Sequence, residues 1–351
     1  MTAGEKLEEL YKNRGARAKE LHDAGKKVIG YFCCFVPDEI ITAFDMVPYR
    51  IQGSQSEPID EADAFLEPMA CPFVRSCFNL ALKGSYDFLD GFVVPHSCDT
   101  VERIYGIWSQ HKPSSFNHLI NVPHMQGASS EAFYRNELDY FIKSLEDWSG
   151  RTLEPGKLRE AVSLYNERRK VLRELYDLRK SDPPLVSGTE IMKALVAGMG
   201  IPGAEHLSLI REFVTELVEG CGAQVVMDDL CTTTRFFWDD VPVTADPLEG
   251  IAKRYLATHC PRSDVSQKEG GRQVDLEQRY GYIKSFVSDW NVNGAIFYIV
   301  RYCDTCELEG PDLREYLNGM NIPVLMIEDD YSTSTIGQLR TRIQAFLEMI
   351  G

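Results

Sequence analysis

The sequence predicts an α/β fold with two parallel-sheet domains and a helical layer, and three observations lead there. From Lys27 onward, short apolar runs alternate with helical stretches, the pattern of strand-helix-strand units around a parallel sheet. After Gly127 the pattern turns mainly helical through about Ala197. A second strand series follows, and one strand in each half stops at a cysteine before an aspartate: VVPHSCD at Cys98 and IVRYCD at Cys303. The expected division is residues 1–127 as an N-terminal α/β domain, 128–200 as a helical connector layer, and 201–351 as a C-terminal α/β domain.

Taken in order, KVIGYFCCFVP reads as a buried strand running into a loop, DEIITAFDMV has helical spacing, and VPYRIQG is a second strand closed by Gly53. CPFVRSCFNLALKG is an amphipathic helix ended by Gly84, FLDGFVVPHSC a third strand breaking at Pro95, and SFNHLINVPHM a fourth. The helical stretch has EAFYRNELDYFIKSLEDWSG and KLREAVSLYNERRKVLRELYDLRK as its clearest members. The second series comprises AQVVMDDLC, then NGAIFYIVRYC after a helix containing YGYIKSFVSDW, then IPVLMIEDD, and the last helix is GQLRTRIQAFLEMI.

Composition excludes several classes of function. At 44% hydrophobic and 26% charged residues the 351-residue chain is ordinary globular protein, and no apolar run approaches the roughly 20 residues that a membrane helix needs. The charged N-terminus lacks the apolar centre and cleavage site of a secretory signal, so a cytoplasmic location is expected. A net charge of -16 argues against tracking phosphates, so no nucleic acid is expected as a partner.

Ten cysteines without an export signal raise metal binding or redox chemistry, because disulfides rarely persist in reducing compartments. Cys33, Cys34, Cys98, Cys231 and Cys303 fall at predicted strand ends, and Cys71 and Cys77 near the start of a helix. Ligands of open parallel sheets collect beyond the carboxyl ends of the strands, and convergent thiolates suit iron-sulfur clusters, zinc or copper(I). Structural zinc usually shows two close ligand pairs, whereas here there is one, Cys303-Asp-Thr-Cys306. Read as a thiol-disulfide pair, that CxxC leaves the other strand-end cysteines unexplained.

The remaining motifs have plainer readings. Gly200-Ile-Pro-Gly203 lacks the glycine spacing of a phosphate loop and is a turn. Glu328, Asp329 and Asp330 could hold magnesium, but before Ser332-Thr333-Ser334-Thr335 they read as a solvated loop and helix cap. His96, His111, His118 and His124 form no zinc-hydrolase pattern. Glu39 in VPDE begins a helix, where it either complements the helix dipole or, as a candidate catalytic group, faces a substrate.

Along nearly its whole length the chain resembles the subunits of 2-hydroxyacyl-CoA dehydratases and class I benzoyl-CoA reductases, together with the related double-cubane cluster proteins. The resemblance rests on GYFCCFVPDEIITAFDMVPYRIQG, CPFVRSCFNLALKG, DFLDGFVVPHSCDTVERIYGIW, VVMDDLC, the RYCD of Arg301 to Asp304, and GQLRTRIQAFLEM, in the family's order. It implies two flavodoxin-like sheet domains with a cluster between them. The family's three cluster ligands fall on Cys71, Cys98 and Cys303, implying a [4Fe-4S] cluster as cofactor. Cys34, Cys77 and Cys306 are possible additional ligands, which makes an [8Fe-9S] double-cubane cluster the alternative, whereas Cys221 and Cys260 lie away from the matching motifs.

The implied activity is to accept an electron from a separate ATP-hydrolysing iron-sulfur activator and deliver it to an acyl-CoA thioester. The other implied partner is a related subunit or a second copy. The chain itself has no GxxxxGK[ST] run. One departure stands out: LIREFVTELVEGCGAQVVMDDLC passes from helix almost directly into the expected strand, so the C-terminal sheet looks shortened. That leaves a non-catalytic electron-transfer subunit of a heterodimer as one alternative, and the additional cysteines leave a double-cubane cluster reductase of small molecules as the other.

Overall fold

The computed structural model describes residues 1–181, 184–218, 226–263, 271–330 and 336–350. By internal packing the chain divides into two compact units, Met1–Ile51 with Tyr86–Cys260, and Gln52–Ser85 with Pro261–Gly351. This differs from a division at 127 and 200 because the central helices belong with the first sheet and the segment carrying Cys71 belongs with the C-terminal part.

The elements, in chain order, begin with helices α1 (Ala3–Lys12) and α2 (Ala16–Asp23), strand β1 (Val28–Tyr31), α3 (Asp38–Ala43), β2 (Val47–Arg50), α4 (Pro72–Leu82), β3 (Gly91–Pro95), α5 (Asp99–His111) and β4 (Phe116–Ile120). The helical layer is α6 (Ala128–Ser149), α7 (Pro155–Asp177), α8 (Gly188–Ala197), α9 (Gly203–Val218), α10 (Thr234–Phe237) and α11 (Pro247–Leu256). The chain closes with α12 (Arg272–Tyr280), α13 (Ile283–Asp289), β5 (Ala295–Val300), α14 (Asp304–Gly319), β6 (Val324–Asp329) and α15 (Ile336–Ile350).

The first unit is built on a four-stranded parallel sheet in the order β2-β1-β3-β4. Strands β1 and β3 are buried at every position, as strands covered on both faces must be. Edge strand β4 alternates buried and half-buried residues instead. The chain leaves β1 towards β2 on one side and β3 towards β4 on the other, so the carboxyl ends of β1 and β3 form the topological switch point where such sheets bind ligands. Around the sheet, α7 packs on α3 and α9, α6 on β4 and α11, and α1 on α8 and α9.

In the second unit, β5 and β6 pair in parallel from Ala295↔Val324 to Val300↔Asp329. Helix α14 packs on both strands and α15 on β6, while Leu276, Tyr280 and Tyr316 form an apolar cluster between α12 and α14. Among the described residues these are its only two strands. The expected strand AQVVMDDLC is not seen where it can be described: Val226–Leu230 is a loop of the first unit, and Ala223–Val225 lie outside the described residues. Ionic anchoring overrides the apolar run, because Asp228 accepts from the Tyr176 hydroxyl at 2.8 Å and from Arg179 at 2.9 Å, and Asp229 is gripped by both arms of Arg235 at 3.0 and 2.9 Å. Helix α3 is also shorter than DEIITAFDMV suggested, since Asp45 turns left-handed at φ 61°. Among the described residues no helix is long and apolar enough to cross a membrane.

Gly198 closes α8 against the His206 ring, and a Cβ there would lie 2.3 Å from ring atoms. Gly198→Ala should therefore cost about 1–3 kcal/mol, as overpacking does. Gly106→Ala, inside α5 with nothing within 4 Å of the added carbon, should gain about 0.5–1 kcal/mol. Urea denaturation of the two variants checks this, and equal shifts would contradict the close approach at Gly198.

Candidate functional site

Two cysteine-bearing loops of the first unit leave the sheet at its switch point. Cys33 and Cys34 follow β1, Cys98 follows β3, and the strands are locked side by side by the Ile29↔Gly91 to Tyr31↔Val93 register. Cys33 adopts a left-handed φ of 62°, unusual for a residue with a side chain and a mark of local backbone strain. The side chains of Cys34 and Ser97 hydrogen-bond its sulfur. The bond from Cys34 holds the Cys33 thiol well below its ordinary range, against burial and with help from Arg50. Cys34, fully buried, is pushed the other way by that bond and by burial.

Cys98 is the N-cap of α5, Cys71 the N-cap of α4 and Cys303 the N-cap of α14. These helices run 13, 11 and 16 residues respectively, and at such an N-terminus unpaired backbone N–H groups and the helix dipole favour negative charge. Cys98 belongs to the first unit, and Cys71 and Cys303 to the second.

The second unit positions Cys71 through the buried polar face of α4. Asn79, 1% exposed, accepts from the backbone N–H groups of Asp60, Glu61 and Ala62 at 3.2, 2.8 and 3.1 Å. Ser76 accepts from Ser54 N at 2.9 Å and donates to Ser54 O at 3.0 Å. These bonds hold the chain before Cys71 against the helix that Cys71 opens. Cys77 lies in the interior of the same helix, fully buried.

Around Cys303, the Cys306 side chain supplies the bond that draws the thiol down to about 6, assisted by the Cys306 backbone and Thr305 and opposed by burial and Asp304. Thr305 Oγ1 lies 3.7 Å from the Cys303 sulfur. The nearby strand-end acids are engaged elsewhere: Glu328 and Asp330 accept from Arg301 at 2.6 and 2.9 Å, and Asp329 accepts from the Tyr298 hydroxyl.

Glu39 is 0% exposed and turned into the helical layer. Its Oε1 accepts from Arg169 Nη2 at 2.5 Å and its Oε2 from the Tyr255 hydroxyl at 2.8 Å. Burial works to raise its pKa, but the Arg169 guanidinium beside it holds the carboxyl below its ordinary value. For the neighbouring Asp38 burial prevails over Arg168 at 4.0 Å, the bond from Tyr31 and the more distant Arg169, and lifts it to about 6.

Arg50, at the end of β2 and 3% exposed, went unmarked in the sequence. It donates to Cys231 O at 2.6 Å and reaches the Cys231 sulfur at 3.4 Å. No spacing rule links positions 50 and 231; only the cysteine closing VVMDDLC signals this corner. Cys260, away from the matching motifs in the sequence, lies within electrostatic reach of Cys34. Cys221 lies outside the described residues.

Among the described residues no three His, Cys, Asp or Glu side chains converge where a single metal ion would sit. A polynuclear cluster makes a different demand, because each cysteine ligates its own iron. Thiols at helix N-termini, one of them with its pKa drawn down, suit that demand in charge and donor chemistry.

Known proteins place the chain. A profile described as 2-hydroxyglutaryl-CoA dehydratase, D-component, matches residues 33–219 and 211–350. One of the benzoyl-CoA reductase subunits of Thauera aromatica is 25% identical over 98% of this chain and 97% of its own length. The (R)-phenyllactyl-CoA dehydratase beta subunit of Clostridium sporogenes is 22% identical over 95% and 94%. The beta subunit of (R)-2-hydroxyglutaryl-CoA dehydratase from Acidaminococcus fermentans is 24% identical over 93% of each. The class these matches define is a subunit of a dehydratase or reductase enzyme. Within it, the chain belongs to the 2-hydroxyglutaryl-CoA dehydratase D-component family.

Two measurements test the buried charges. Arg169→Leu, which strands Glu39 without its partner, should cost about 3–5 kcal/mol in urea denaturation. For Asp38 the folded pKa lies above the unfolded one, so its contribution is full below about pH 4 and is lost as pH rises through about 6. Asp38→Asn should therefore gain roughly 2–3 kcal/mol on the wild type between pH 4.5 and 7.5. A pH-independent difference would contradict the assignment.

Proposed function

We propose that the chain is a cytoplasmic iron-sulfur subunit of an ATP-activated acyl-CoA dehydratase or reductase system, with a [4Fe-4S] cluster on Cys71, Cys98 and Cys303. The observation that supports this most is that these three cysteines, matched from the family's motifs, each cap the N-terminus of a helix of more than two turns. When bound, such a cluster supplies low-potential one-electron chemistry. The chain's own residues hold the thiolates at helix N-termini, and Cys306 and Thr305 stabilise the anionic form of Cys303.

Glu39 serves this arrangement from a distance in our reading. With both oxygens bound to the helical layer, it fixes the turn from β1 into α3 and hence the position of Cys33 and Cys34. A separate ATP-hydrolysing activator is the expected electron donor, a related chain or second copy the expected assembly partner, and an acyl-CoA thioester the expected substrate, as the names of the relatives suggest. The two described strands of the second unit favour one further reading, an electron-relaying subunit beside a longer catalytic chain.

Anaerobically purified protein should contain iron and labile sulfide, and Cys71→Ala, Cys98→Ala and Cys303→Ala should each lower its iron by about half or more. Cys77→Ala should leave the iron unchanged, because that side chain faces the core. Zinc without sulfide would reject the cluster. Reduced activator with ATP should alter the visible spectrum, and full turnover with a mild donor and no ATP would reject the ATP-driven step.

A further inference from the structure

A second group of thiols gathers within the first unit. Cys33 and Cys34 follow β1, Cys231 follows the loop Val226–Leu230, and Cys260 lies beyond α11. Cys34 hydrogen-bonds Cys33 and is within electrostatic reach of both Cys231 and Cys260. Arg50 joins them, bonded to Cys231 through its carbonyl and sulfur and acting on Cys33 and Cys34. Cys231 is exposed and Cys33 and Cys260 are half-buried, so solutes reach them, whereas Cys34 lies behind.

The buried charges around this group do not balance. Arg50, Arg168, Arg169 and Arg254 are each 3% exposed, and the buried carboxylates among them are Asp38 and Glu39. Arg168 faces Asp38 and Arg169 is bonded to Glu39. Arg254 donates to the carbonyls of Asp239 and Phe236 at 3.1 and 2.5 Å, its Nη1 is buried with no hydrogen-bond partner, and Cys34 is among its electrostatic neighbours. Arg50 acts chiefly on the sulfurs of Cys231, Cys34 and Cys33 and on the Tyr31 hydroxyl. Buried guanidinium groups persist when an anion compensates them; Arg254 shares Glu39 with Arg169 and feels Cys34 more weakly, whereas for Arg50 the sulfurs of Cys231 and Cys34 are the leading sources of one.

We propose that Cys33, Cys231 and Cys260 hold a second iron-sulfur centre at the switch point of the first sheet, with Cys34 as the thiol donor behind Cys33 and with Arg50 and Arg254 as its counter-charges. This rests on the reading of the chain as an iron-sulfur protein and adds ligands to it. Each thiol gives up its proton on ligation, leaving an anionic centre beside the two guanidinium groups. A lone ion is the poorer occupant, since the donors do not converge on one point. Thiolates spread over separate irons need no such point.

The test uses the full wild-type chain, chelated or reconstituted anaerobically with ferrous iron and sulfide, then alkylated with iodoacetamide and read peptide by peptide. Cys33, Cys231 and Cys260 should be alkylated in the chelated chain and protected by about tenfold after reconstitution. Equal alkylation of these three in both states, with Cys71, Cys98 and Cys303 protected, would overturn the second centre and leave the first reading standing. Protection of Cys33, Cys231 and Cys260 alone would support the second centre and reject the first set. The same protection by zinc without sulfide would overturn the cluster in favour of a single ion. A Cys231→Ser/Cys260→Ser variant with native circular dichroism should lose about half of its iron and sulfide, and full retention of both would likewise overturn the proposal.

Discussion

Both oxygens of the fully buried Glu39 are satisfied by the helical layer, Arg169 from α7 and Tyr255 from α11, and the first unit is organised around that satisfaction. A carboxylate taken out of water is tolerable only when every lone pair it must hide finds a donor. Helix α3 therefore cannot shift or rotate without uncovering a charge. Because α3 follows β1 after six residues, the same lock sets the path of Cys33 and Cys34. Apolar contacts of α7 with α3 and α9 supply the bulk of the packing, while the ion pair selects one alignment among those that packing alone would accept.

That alignment serves a site of unusual electrical character. The chain as a whole is strongly acidic, yet its interior beside the sheet concentrates guanidinium groups near sulfur. Helix N-termini behind Cys98, and in the second unit behind Cys71 and Cys303, act in the same sense. Cys33 and Cys303 are thus held below the ordinary thiol range, each chiefly by a bond from a neighbouring cysteine, while the fully buried Cys34 is pushed the other way.

Much of this was legible in the sequence, and the parts that were not share a cause. The buried strands of the first sheet read clearly because both faces are covered, and the cysteines after them were found because strand ends are where such sheets do chemistry. VVMDDLC misled because an apolar run says nothing about Tyr176, Arg179 and Arg235, whose bonds to Asp228 and Asp229 keep the described part as a loop. Nothing local marks Cys260 as a neighbour of Cys34, which lies more than two hundred residues away in the chain. Arg50 and Arg254 carry no local pattern at all, since their partners are set by tertiary packing. The interrupted second unit was equally hidden, because contiguity along the chain is the usual sign of a domain and here it fails.

That interruption governs how the protein is made. The segment Gln52–Ser85, with Cys71, belongs to a unit whose remainder starts at Pro261. A ribosome adding about 5–20 residues per second needs on the order of ten to thirty seconds to pass the intervening stretch Tyr86–Cys260. Throughout that interval the segment has emerged without the remainder of its unit, and the Cys71 thiol waits for its fold. Assembly of any centre that uses Cys71 together with Cys303 therefore waits until that later part of the unit has been made, and a cell making this chain must keep the Cys71 thiol away from oxidants over that interval.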